Sequence, residues 1–216
     1  MRSALPEGPN SEGVGSLEVR WIFPGEPAAG MVGWFGRFPA EVRLVEDLYL
    51  LDPHLPGLSV KLRGQRSLEV KAYRGSAGVL EVAGRACGRL ERWHKWSFQH
   101  GPPGGGNDQA GWRPVRKRRQ VSWFSGADGP ARAALPDPGV RGGCAVELTE
   151  VEAAGAAWWS LGFEATGPPG ALRGELDAAA ALVFARALPG GVELGMDGSQ
   201  SYAQWLRRLP GRPGAT

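Results

Sequence analysis

The chain predicts an α+β protein built on an antiparallel sheet or barrel, with helices at its periphery and two of them at its C-terminal end. Three observations lead there. Charged residues recur at positions of one parity in stretches that read as strands: Glu18 and Arg20, Lys61 and Arg63, Glu69 and Lys71, Glu91 and Lys95. A strand sends successive side chains to opposite faces, so these charges share one face while Leu17, Val19 and Trp21, Val60 and Leu62, and Leu68 and Val70 share the other. Strand patterns dominate the first 166 residues and clear helical periodicity appears only from residue 175, an order that argues against βαβ units.

The 216 residues fit one domain, expected over 14–210 between a disordered lead at 1–13 and a short tail at 211–216, and suffice for a substantial core. A formal charge of +3 is too small to mark a nucleic-acid protein and compatible with an anionic ligand. The 34 Gly and 18 Pro point to compositional bias. Under that bias the cations are overwhelmingly Arg, and only Lys61, Lys71, Lys95 and Lys117 remain lysine. Retained lysine suggests a compact point charge or a tight fit. Cys87 and Cys144 have no metal-ligand spacing with His54, His94 or His100 and read as buried free thiols. The N-terminal residues carry no apolar leader and no run of apolar residues reaches membrane-spanning length, so a cytoplasmic protein without a membrane partner is expected.

Taken in order, the first strand covers 15–23, followed at 27–38 by a short helix or structured loop that its three glycines weaken. A strand at 41–51 ends at Asp52-Pro53. Strands at 57–63 and 67–74, joined by Gly64-Gln65-Arg66, form the clearest hairpin. A next pair is expected at 79–83 and 89–98. Residues 101–111 are a Gly-rich loop, 112–124 a strand with the basic run Arg116–Arg119, and 125–143 a second Pro/Gly/Ala-rich loop. Strands at 144–151 and 156–166 precede a helix at 175–188, whose acidic first turn and terminal Gly190-Gly191 suit helix ends, and a short amphipathic helix at 199–209.

The alternating charges admit two explanations. A solvent-facing antiparallel sheet shows them through weak cross-strand ion pairs. A closed barrel would instead gather Lys61, Arg63, Lys71, Lys95 and a pair from Arg116–Arg119 in a bore, where unpaired cations are costly unless an anion arrives. A triphosphate or polyphosphate would satisfy them. Carboxylates on the same face, Glu18, Glu69, Glu147 and Glu164, are the hard donors that Mg²⁺ or Mn²⁺ takes.

Motif order resembles the CYTH, or triphosphate tunnel metalloenzyme, superfamily from about Ser16 to Leu209. Ser16-Leu17-Glu18-Val19-Arg20 resembles its opening ExExK strand, with Ser for the first Glu and Arg for the Lys. Asp47-Leu48-Tyr49 resembles its D-x-Y element, followed by Ser59-Val60-Lys61-Leu62-Arg63 and Leu68-Glu69-Val70-Lys71. Arg116-Lys117-Arg118-Arg119 resembles its K-x-R strand, and Glu147 and Glu164 its late acidic pair. Trp93-His94-Lys95-Trp96 with the terminal Ser201-Tyr202-Ala203-Gln204-Trp205-Leu206 is most similar to a bacterial branch of that group. The resemblance implies an eight-stranded antiparallel tunnel in which Arg20, Lys61, Arg63, Lys71, Lys95, Lys117 and Arg119 hold phosphates. It further implies that Glu18, Glu147 and Glu164 carry Mg²⁺ or Mn²⁺ for hydrolysis. Parity with Val121 and Trp123 instead turns Arg116 and Arg118 toward the charged face unless a bulge intervenes. Ser16 removes an expected metal ligand, so a binding module that has lost the chemistry is the first alternative. A nucleic-acid-binding barrel is the second, disfavoured because the cations are interleaved with carboxylates. The tryptophans at 93, 96, 158 and 159 read as packing, and His94 as a structural or surface residue.

Overall fold

The computed structural model describes residues 13–64, 67–99, 111–126, 132–136 and 142–210. The expected lead (Gly13 apart), the tail 211–216 and the loop 101–111 (Gly111 apart) lie outside the described residues. The strands are β1 (Val14–Pro24), β2 (Glu41–Leu50), β3 (Leu58–Arg63), β4 (Ser67–Val82), β5 (Ala86–Gln99), β6 (Trp112–Ser125), β7 (Arg132–Ala134), β8 (Gly143–Ala153) and β9 (Ala156–Thr166). Three α-helices, α1 (Ala29–Phe35), α2 (Leu172–Phe184) and α3 (Tyr202–Arg208), accompany them, with a 3₁₀ turn at Met196–Gly198.

All strand pairings are antiparallel, in the order β2-β3-β4-β5-β1-β9-β8-β6, and β6 returns to β2 along Glu41–Leu50 to close an eight-stranded barrel. The short β7 lies within the expected 125–143 loop and pairs with Trp123–Ser125, just past the point where β2 begins. The expected separate strand at 79–83 is the far half of β4. Register shifts between Tyr73 and Gly75 and between Ser76 and Val79, with positive φ at Gly75 and Gly78, bend one long strand where two were expected. Ala154 and Gly155, both at positive φ, form the two-residue turn between β8 and β9, whose flanking Ala153 and Ala156 pair directly.

The apolar core lies outside the barrel. Leu17, Val19 and Trp21 of β1, Val146 and Leu148 of β8, and Leu161 and Phe163 of β9 pack against Met31, Trp34 and Phe35 of α1 and Leu176, Ala179, Val183 and Phe184 of α2. The opposite parity of the same strands faces the bore. Cys144 is buried in this outer core, whereas Cys87 is only half-buried; both are free thiols.

A second apolar cluster fills one end of the bore. Ile22, Tyr49, Val115, Val151 and Ala153 sit at bore-facing positions and pack with Trp205 and Leu206 of α3, with Tyr202 and Trp158 alongside. A capping box between Ser201 and Gln204 sets the start of α3. Its far end is tied to the rim: Arg207 donates to the carbonyls of Leu55, Pro56 and Leu58, and Arg113 to those of Leu206 and Leu209. The expected tunnel thus has a helix filling one end. No helix among the described residues is long and apolar enough to cross a membrane. Because Leu206 is fully buried in this plug, Leu206→Ala is expected to cost about 2–5 kcal/mol of unfolding free energy in urea. A loss below ~1 kcal/mol would show that α3 contributes little to closing the barrel.

Candidate functional site

Bore-facing positions of all eight barrel strands converge on one cavity of about 330 Å³, at the small end of the range for ligand pockets. All ten residues nominated from sequence line it: Glu18, Arg20, Lys61, Arg63, Lys71, Lys95, Lys117, Arg119, Glu147 and Glu164. Every lysine of the chain is among them.

Beside the plug, Lys117 donates to Asp47 Oδ2 at 2.9 Å and to the Tyr49 hydroxyl at 2.7 Å. Its ammonium also lies 4.7 and 4.3 Å from the ring centres of Tyr49 and Tyr202, within cation–π range. Asp47 is fully buried and also meets Lys61 at 3.8 Å and Arg63 at 3.4 Å. Burial alone would raise its pKa, but Lys117, Lys61 and Arg63 outweigh burial and hold the carboxyl well below its usual range. Lys61 and Arg63 reach on to Glu69 at 3.1 and 2.9 Å. For Lys61 burial prevails and pushes the ammonium below its ordinary value.

In the middle, Glu147 is held on both oxygens. Arg20 Nη1 lies 2.6 Å from Oε1, and Arg119 grips Oε2 through Nε, at 2.8 Å, and Nη2. The sequence permits this because Arg20, Gly162 and Glu147 stand in one row across β1, β9 and β8. A Cβ on Gly162 would come within 2.6 Å of the Arg20 guanidinium carbon, so only glycine lets that side chain cross β9. Arg20 also donates to Ser160 Oγ and stacks over Tyr202, whose hydroxyl is hydrogen-bonded to the same serine. Burial would raise the Glu147 pKa, and the two guanidinium groups instead drive it well below the usual carboxylate range.

Farther from the plug, the carboxylates of Glu18 and Glu164 are cross-strand neighbours on β1 and β9. Lys71 Nζ donates to both, at 2.7 Å to Glu18 Oε1 and 3.1 Å to Glu164 Oε1, and Lys95 lies 3.9 Å from Glu164. Despite the burial that opposes it, the Glu164 and Glu18 charges raise the Lys71 pKa. Ser16, in the place of the expected metal ligand, donates to Glu18 Oε1 at 2.6 Å. Glu91 accepts from Trp93 Nε1 and from Gln204 Nε2 of α3, and burial pushes its carboxyl above the usual range.

The K-x-R parity is settled for Lys117 and Arg119, without a bulge. Arg116 and Arg118 point outward to Glu46, Glu152 and Glu150. The inference from Val121 and Trp123 fails because these two apolar side chains also face inward and line the same cavity, Val121 directly beside Glu147 of β8. Sequence reasoning omitted Asp47, Tyr49, Glu91, Ser160 and Tyr202 from the site. Asp47, Tyr49 and Glu91 share the parity of the charged positions and were discoverable that way. Tyr202 carries no such signal, because a helix reaches the bore only through tertiary packing.

The donor set does not fit Mg²⁺ or Mn²⁺ as it stands. Both oxygens of Glu147 are taken by guanidinium groups, and an ammonium lies between Glu18 and Glu164. Among the described residues no three His, Cys, Asp or Glu side chains are grouped to hold a metal.

No family model and no curated protein matches the chain. Among solved structures it is similar to a putative adenylyl cyclase from Hippeastrum described as having a dominant triphosphatase activity, at TM-score 0.41 and 11% identity over 82% of this chain and 92% of that one. It is also similar to the Pct1 RNA triphosphatase of S. pombe, at TM-score 0.38 and 10% identity over 82% of this chain and 79% of that one. At such low identity neither transfers a residue role.

The pairing of Glu147 has a pH signature. Its folded pKa lies below its unfolded value of about 4.3, so its contribution is complete above that value and drains away as pH falls below it toward the folded pKa. Glu147→Gln is expected to cost about 3–5 kcal/mol at neutral pH by leaving two buried cations unpaired. Its unfolding free energy should then fall less than that of the wild type between about pH 7 and pH 3 in urea melts. Equal losses in the two proteins would show that Glu147 is not the acid-sensitive group.

Proposed function

We propose that the protein binds a triphosphate- or polyphosphate-bearing anion in its bore. One observation carries this: seven cations, Arg20, Lys61, Arg63, Lys71, Lys95, Lys117 and Arg119, line one cavity with the carboxylates Glu18, Glu69, Glu147 and Glu164, while Asp47 is fully buried behind Lys61, Arg63 and Lys117 as a fifth acid. Glu91 is the sixth acid, and the seven cations still outnumber the carboxylates with it included. The surplus is positive and sits where water screens it weakly, so a multiply charged anion is the ligand that relieves it. Arginine offers that anion paired donors and lysine a point charge. The motif order that resembles the CYTH superfamily supports the same ligand class.

Binding is favoured over hydrolysis by the state of Glu147. A carboxylate gripped on both oxygens by Arg20 and Arg119 is not free to take a metal or to act as a base toward water. A nucleic-acid ligand is disfavoured by the outward half of the basic run, since Arg116 and Arg118 are neutralised by Glu46, Glu150 and Glu152.

Calorimetric titration with inorganic tripolyphosphate tests the reading. The wild type should bind it and gain thermal stability. Arg119→Ala and Lys61→Ala should each weaken binding by about tenfold or more, ~1.4 kcal/mol. No heat and no thermal shift with tripolyphosphate or longer polyphosphate would refute the proposal. Release of inorganic phosphate with Mg²⁺ or Mn²⁺ would establish the hydrolase instead of the binding module.

A further inference from the structure

The Glu18–Glu164 pair is where a divalent cation would be expected in this bore, and a side chain already stands there. Two carboxylates directly opposite on neighbouring strands repel unless a cation lies between them. Lys71 supplies it, with its ammonium 2.7 Å from one Oε1 and 3.1 Å from the other. Lys95 adds a second positive charge 3.9 Å from Glu164. The third carboxylate at this place, Glu91 directly opposite Glu18 on β5, already accepts from Trp93 and Gln204, and position 16 is a serine whose hydroxyl donates to Glu18. Glu147 is turned to Arg20 and Arg119 by the passage over Gly162.

We infer that Lys71 is a built-in substitute for a divalent metal, so that the bore takes up its anion free of metal rather than as a magnesium complex. An ammonium can do this because it is a compact charge with three donors, enough to satisfy two carboxylates and keep one for a ligand oxygen. Arginine would place a planar fork there instead, which fits the retention of lysine at this position. The first half of the inference, a latent metal site filled by Lys71, stands apart from the identity of the ligand. The second half, on the form of the anion, rests on the oligophosphate reading.

Two measurements separate them. Binding of Mn²⁺ followed by electron paramagnetic resonance should show no uptake by the wild type that depends on Glu164. Lys71→Met should create a site for one Mn²⁺, abolished by adding Glu164→Gln. Lys71→Ala serves as a second variant, and near-ultraviolet circular dichroism identifies which of the two keeps the native tertiary structure. Uptake of one Mn²⁺ by the wild type that disappears in Glu164→Gln overturns the inference, as does the absence of uptake by a folded Lys71 variant. For the anion, tripolyphosphate should bind the wild type at least as tightly in EDTA as in excess Mg²⁺, which withdraws free ligand. Tighter binding with Mg²⁺ overturns the second half. A wild type that binds no tripolyphosphate in either condition refutes the proposed function and leaves the Mn²⁺ result to decide on Lys71.

Discussion

Glu147, held between Arg20 and Arg119, fixes strands β8, β1 and β6 relative to one another and does so across the surface of β9 at Gly162. Two further nodes of the same kind complete the ring. Asp47 joins β2 to Lys61 and Arg63 of β3 and to Lys117 of β6, while Lys71 joins β4 to Glu18 of β1 and Glu164 of β9. Each node is a buried charge cluster that tolerates little displacement, because a carboxylate or ammonium deprived of its partners in a poorly screened interior is strongly disfavoured. The nodes therefore define the shape of the bore. They are a poor source of net stability, since apolar residues of similar volume would serve as well or better. That comes from the outer core, where β1, β8 and β9 pack on α1 and α2.

The plug belongs to the same construction. A seven-residue helix is too short to persist by itself, so α3 owes its position to its cap, to Trp205 and Leu206, and to the rim carbonyls gripped by Arg207. Once placed, it gives the bore a floor in which the Tyr202 ring underlies both Lys117 and Arg20. Gln204, the partner of Ser201 in the capping box, also donates to Glu91 on the bore wall. The helix start, the floor and the wall thus share hydrogen bonds, and an anion that draws on Lys117 or Arg20 bears on the same contacts.

Much of this was legible in the alternation of charges. Glu18, Lys61, Glu69 and Lys71 declare their common face because a strand leaves them no other arrangement. Bias toward arginine made the four lysines conspicuous, and all four line the bore. What alternation could not decide was whether that face is wet or enclosed, since closure depends on β6 meeting β2, a pairing between residues some seventy positions apart. Parity misled at Val121 and Trp123 because these apolar side chains stand on the charged face of β6 and line the same cavity. β4 was divided in two because the glycines that bend it look like the end of a strand. The plug was legible as an amphipathic helix, but the surface that its apolar stripe covers is set by packing alone.

The three nodes also bear on which anions the bore can retain, on the oligophosphate reading. Each cation already has a carboxylate partner, so an entering anion competes with an internal one that is covalently fixed in place and has lost little freedom. A single phosphate meets one node at a time and gains only the donors that node leaves unused. A linear chain of phosphates lies along the bore and meets the Lys71, Glu147 and Asp47 nodes together. It pays its loss of translational freedom once while drawing on the spare donors of Arg20, Arg119, Lys61 and Lys117 in concert. On that reading the internal carboxylates would act as a filter: by neutralising each cation locally they would suppress binding of small anions, and the surplus charge they leave would be collected only by an extended polyanion.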